Sequence, residues 1–299
     1  MNSRVTNRSF RYLKRLFLIC LNENQDISMR LDEMYKLIQV CFFYESTDPN
    51  VENTLRSTLA DSTISYSSKS VPAIAQSGKN IGCIMMFSKH LDETSKKRED
   101  IKDIEKYHKN GILEELCHLV EQKGDSNTHS SDYWELWKRY SNKGLIPYSN
   151  EIIARLDTDR NHYEVYLMII RTYANDWVLR YWRYFEESFD YDKEYEGWKK
   201  NIPVNVVFAR LVTDYLRLVN VLYVIEKVPR EEISEASLKL LAEMKEKGKQ
   251  VLESRKNLIR RDMGSTALNI IESLDEKMFI TSDAFFSVII DLWESLALI

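Results

Sequence analysis

Four side chains in the middle of the chain could do chemistry together. Glu114, Glu115, His118 and Glu121 lie within the segment 111–124, GILEELCHLVEQKG. Glu114 precedes His118 by four residues, Glu115 precedes it by three, and Glu121 follows it by three. Side chains at these spacings are neighbours on a helix surface. A carboxylate and an imidazole presented together can ligate a metal ion or pass a proton. All five histidines (His90, His108, His118, His129 and His162) fall in one stretch of the chain, as a metal or acid–base site would require. The same helix also suits a plainer reading, a solvated carboxylate–imidazole pair on a charged face.

The elements that must position these residues can be read from periodicity. The segment itself reads as one amphipathic helix ended by Gly124 and the polar loop GDSNTHSSD. A charged, helix-competent stretch, 92–110, precedes it, and IGCIMMFS (81–88) is short, continuously apolar and bounded by Gly78, which predicts a strand. Residues 61–80 are Ser-rich and predict a long loop or one short strand. Upstream, 9–21 is apolar with basic interruptions and 51–60 reads as a short helix. Residues 26–44 fit a helix capped by Asp26, with Ile27, Leu31, Met34, Leu37 and Ile38 in period. Downstream, YWELWKRY (133–140) reads as a short aromatic helix and 142–150 as a loop. Beyond 150 the chain is helical almost throughout. The expected fold class is mainly α (α+β), with a small sheet at about 61–90 and a C-terminal helical bundle. The expected division is 1–190 for the α+β domain and 191–299 for the helical region.

The order of a short apolar strand, a charged connection and a helix written E-E-L-C-H-L-V-E (114–121) resembles the active-site region of the zincin metallopeptidases. In that family the helix carries H-E-x-x-H, with two zinc-binding histidines and a glutamate general base. The resemblance aligns His118 with the second histidine and Glu115 with the base. Glu114 stands in place of the first histidine. It implies a zincin-like core, with strand 81–88 as the edge strand before the helix, and zinc held by Glu114, His118 and a third ligand. The candidates for that third ligand are in DTDRNHYEVY: Glu164, matching the glutamate-ligand subgroup, and His162 as the alternative. Residues i and i+2 point about 200° apart on a helix, so at most one of these two faces a common site. The implied activity is a metal-dependent peptidase acting on a peptide or protein substrate, or an inactive relative that keeps the fold. A glutamate at 114 adds negative charge, which makes for a weaker peptidase. His90 could line the same cleft, whereas His108 and His129 sit in polar stretches that read as solvated loops. Tyr163 and Tyr166 are candidate donors to an oxyanion.

Composition removes other classes. The chain has 299 residues, 44% hydrophobic and 29% charged, with 8 Gly and 5 Pro, an ordinary globular composition that favours helix over hairpins. A formal net charge of −4 gives no nucleic-acid-scale basic surface. The aromatic run 177–191 has Trp177, Tyr181, Tyr184 and Phe185 at helical spacing, which is core packing rather than a base-stacking platform. Residues 245–261 mix charges as a solvated helix face does. No G-x-G-x-x-G, P-loop or G-x-S-x-G motif is present. The four cysteines show no C-x-x-C spacing and read as buried free thiols of a reducing, cytoplasmic setting. The apolar run 15–21 is too short for a membrane span. The alternative to a metalloenzyme is a non-enzymatic helical interaction or scaffold protein, suggested by the long helical half.

Overall fold

A computed structural model describes residues 7–60, 73–89, 104–123, 131–142, 146–187, 191–273, 276–279 and 282–295. The chain divides into two compact units, Met1–Gly124 and Asp125–Ile299, where the sequence reading places a boundary near 190. His90 and His129 lie outside the described residues.

In the first unit, helix α1 (Asn7–Glu23) buries Leu13, Leu16, Phe17 and Cys20 along one stripe. Helix α2 (Gln25–Met34) buries Ile27 and Leu31 and stops there. The predicted helix 26–44 is thus corrected at its second half. Tyr35 turns to extended backbone (φ −130°, ψ 136°), and strand β1 (Leu37–Phe43) follows. Leu37 and Ile38 continue the helical spacing of α2, but the run LIQVCFF is rich in β-branched and aromatic residues and finds a strand to pair with. After helix α3 (Asn50–Leu59) come β2 (Ala73–Ser77), the short strand expected in the Ser-rich stretch, and β3 (Ile81–Phe87).

The sheet has the order β1–β3–β2. β1 runs parallel to β3, with Leu37 opposite Ile81 and Phe43 opposite Phe87, and β2 runs antiparallel to β3. The strand expected at the edge, 81–88, is therefore the central one. That position matches its sequence, because a strand covered on both faces reads as a continuous apolar run. On one face Cys83, Met85 and Phe87 pack with Val51, Leu55 and Leu59 of α3. On the other lies helix α4 (Ile104–Lys123), which carries the Glu114–Glu121 cluster.

The second unit is helical throughout its described residues: α5 (Ser131–Asn142), α6 (Ile146–Glu187), α7 (Tyr191–Asn201), α8 (Val204–Lys227), α9 (Glu235–Met263), α10 (Ser265–Glu272) and α11 (Ser282–Ser295). The mainly α fold with a small sheet follows from these elements. Helix α6 begins inside the stretch expected as a loop, with Pro147 in its first turn, where a missing N–H costs nothing. It is broken at Tyr173 (φ −129°, ψ 41°). Ser234 caps α9, accepting from the Ser237 amide at 3.2 Å. No helix among the described residues is long and apolar enough to cross a membrane.

The polar run DTDRN does not interrupt α6. Its Asp159 is buried and faces Arg155 at 3.8 Å and Arg217 at 3.6 Å, while Arg155 also binds Asp214 at 2.6 Å. The two guanidinium groups stand too far from Asp159 to offset the loss of water around its carboxylate. Burial therefore pushes its pKa from 3.8 to about 6 against the pull of both arginines. The folded chain then keeps a proton that the unfolded chain releases between about pH 4 and pH 6, so stability falls as pH rises through that window. The full effect is at most roughly 3 kcal/mol. Asp159→Asn should flatten this part of the stability profile. Urea unfolding at pH 4, 5, 6 and 7 measures it, and an unchanged slope in the variant would assign the effect to another group.

Candidate metal centre

Helix α4 is fixed by contacts on three sides. Against the sheet, Gly82 of β3 lies so close that a Cβ there would come within 3.0 Å of Leu119 Cδ1. A side chain at 82 would require the end of the Leu119 side chain to give way, so glycine lets the helix lie closest there. The Tyr35 hydroxyl donates to the Leu119 carbonyl at 2.7 Å and is bonded to the Ser77 hydroxyl at 2.9 Å. Gln122 Nε2 donates to the Ala75 carbonyl of β2 at 3.1 Å. At the start of the helix, Tyr12 is hydrogen-bonded to His108 at 3.1 Å, Arg15 pairs with Glu105 at 2.7 Å and Lys109 with Glu23 at 2.5 Å. His108 is therefore a buried helix residue packed on α1, not a solvated loop histidine.

These contacts set the rotation of α4. Ile112, Leu113, Leu116, Cys117, Leu119 and Val120 are fully buried, and Glu121 is buried as well. Glu114, Glu115 and His118 remain partly exposed along one strip. Glu114 and His118, four residues apart, are the pair the sequence singles out for one face.

His162 lies on α6, also partly exposed. Its ring stacks on Tyr166, with centroids 5.0 Å apart and planes 12° from parallel. Tyr166 is buried and held edge-on by Tyr181 at 4.8 Å and Trp177 at 5.9 Å. The aromatic run expected as core is core at Trp177 and Tyr181, and it also orients a histidine. Tyr166 thus acts as a platform for His162. Tyr163 packs against Phe279.

Glu114 and His118 are the potential metal ligands that the first unit brings together, four residues apart and partly exposed on α4. A carboxylate and an imidazole are both zinc-ligand types. His162 and Glu164, the sequence candidates for a third ligand, lie on α6 in the second unit. No family model, curated protein or solved structure matches the chain.

The tie from Tyr35 to Leu119 is one residue from His118, and it joins the start of β1, the end of β2 and α4. Tyr35→Phe should lower the unfolding free energy by about 1 kcal/mol, the net worth of one buried hydrogen bond. A denaturant titration that shows no loss would mean the tyrosine ring alone sets the packing.

Proposed function

We propose that the protein binds one divalent transition-metal ion with Glu114 and His118 as ligands, and that it is a zincin-like metal-dependent hydrolase of peptide bonds. The observation that supports this reading is the carboxylate–imidazole pair Glu114 and His118, partly exposed on α4 with Glu115 beside it. Zinc is an ion that suits imidazole and carboxylate donors with an open position.

When bound, such an ion would polarise a substrate carbonyl and make a water more acidic. Glu115, beside Glu114 on α4 and partly exposed, would be the general base toward that water and would return the proton to the leaving amine. The packing of α4 on the sheet holds Glu114 and His118.

Protein purified without chelator should contain about one zinc per chain. His118→Ala should weaken zinc binding by more than about 100-fold, and Glu114→Gln should weaken it as well. Glu115→Gln should keep the metal and lose hydrolysis of a peptide library. Metal-free protein whose melting is unchanged by zinc would overturn the reading and favour the helical scaffold alternative.

A further inference from the structure

Two cysteines of the sheet form a pair that the proposed metal site does not use. The register places Gln39 opposite Cys83 and Cys41 opposite Met85, so Cys41 and Cys83 occupy diagonal positions on the same face of adjacent parallel strands. The two thiols influence each other's ionisation, and Gln39 Nε2 donates to Cys41 Sγ at 3.6 Å. Both cysteines pack in the cluster under α3, but they differ in access. Cys83 is fully buried on the central strand, whereas Cys41 is partly exposed on an outer strand. The partly exposed cysteine thus lies on the outer strand and the buried one diagonally across from it on the central strand.

The electrostatics separate the pair in the same sense. The influence of Cys83, aided by Gln39, holds the Cys41 thiol below its ordinary range despite desolvation. The influence of Cys41 and burial push Cys83 up. The other two cysteines, Cys20 and Cys117, are buried on helices, and burial pushes both up, Cys20 to about 12. A partly exposed sulfur with a donor aimed at it is the kind of thiol that reacts as a thiolate, while buried undonated thiols are inert.

We propose that Cys41 and Cys83 are a peroxide-oxidisable dithiol, with Cys41 the attacking sulfur and Cys83 the resolving one. The Cys41 thiolate attacks one oxygen of a hydroperoxide. The O–O bond breaks, the departing oxygen takes a proton and leaves as water or an alcohol, and Cys41 becomes a sulfenic acid. The Cys83 sulfur then attacks the Cys41 sulfur. The S–O bond breaks, the Cys83 proton goes to the departing hydroxide, and water and a disulfide result. Two thiols have lost two electrons to one peroxide. Diagonal positions on neighbouring strands lie beyond the most comfortable disulfide spacing, so the outer strand β1 must shift to close the bond. A bridge made that way is strained and readily reduced, which makes the modification reversible.

The test is peptide mapping of the whole chain after brief exposure to limiting hydrogen peroxide. The expected product is a Cys41–Cys83 linked peptide that dithiothreitol removes. In Cys83→Ser, Cys41 should accumulate as a sulfenic acid, trapped by a dimedone probe at least about tenfold faster than Cys20 or Cys117. In Cys41→Ser, Cys83 should remain a thiol. The proposal is overturned if Cys41 reacts no faster than Cys20 and Cys117, or if the wild-type chain forms no Cys41–Cys83 link. Mapping of the wild-type chain decides the matter even if Cys83→Ser does not fold.

Discussion

The approach of helix α4 to strand β3 at Gly82 is the constraint on which the first unit depends. A helix and a sheet with full-sized side chains at the contact would stand further apart. Here the strand offers bare backbone to Leu119, and the helix settles close enough for the Tyr35 hydroxyl to reach a carbonyl in its middle. Once that depth is set, rotation of the helix is set too. The apolar residues on either side of His118 go into the core, and Glu114, Glu115 and His118 are left along the strip that stays partly open. The chemistry of the site is thus a by-product of how one helix must lie on one strand.

The second unit solves a different problem. Its long helix α6 carries a polar run, DTDRN, that could have been a break between helices. It stays helical because Asp159 can share two arginines and because its apolar neighbours have α8 and α9 to pack on. Burying that carboxylate is costly, and its raised affinity for a proton records the cost. His162 follows one turn later, and its ring stacks on Tyr166, which restrains the ring plane.

Much of this was legible in the sequence, and what was not has identifiable causes. The Glu114–His118 spacing, the strand at 81–87, the short strand at 73–77 and the helical second half all follow from local pattern. Strand β1 was hidden because Leu37 and Ile38 prolong the helical stripe of α2, and only a partner far along the chain makes extended backbone the better choice. His108 looked like a loop residue because its neighbours are charged. Its burial comes from Tyr12 on α1, a contact no local window contains. The role of Tyr166 was hidden among seventeen tyrosines, since stacking depends on side-chain geometry and not on spacing.

The mixed sheet also orders the chain by what each pairing costs to form. Joining β2 to β3 closes only residues 78–80, while joining β1 to β3 closes residues 44–80. Loop-closure entropy rises with the length enclosed, so the parallel ladder is the more expensive of the two. Both β1 and β2 are paired on one side only, so the enclosed length decides between them. The hairpin and the helix packed on it therefore form the inner, more persistent part of the first unit. The parallel strand is the piece that partial unfolding releases first.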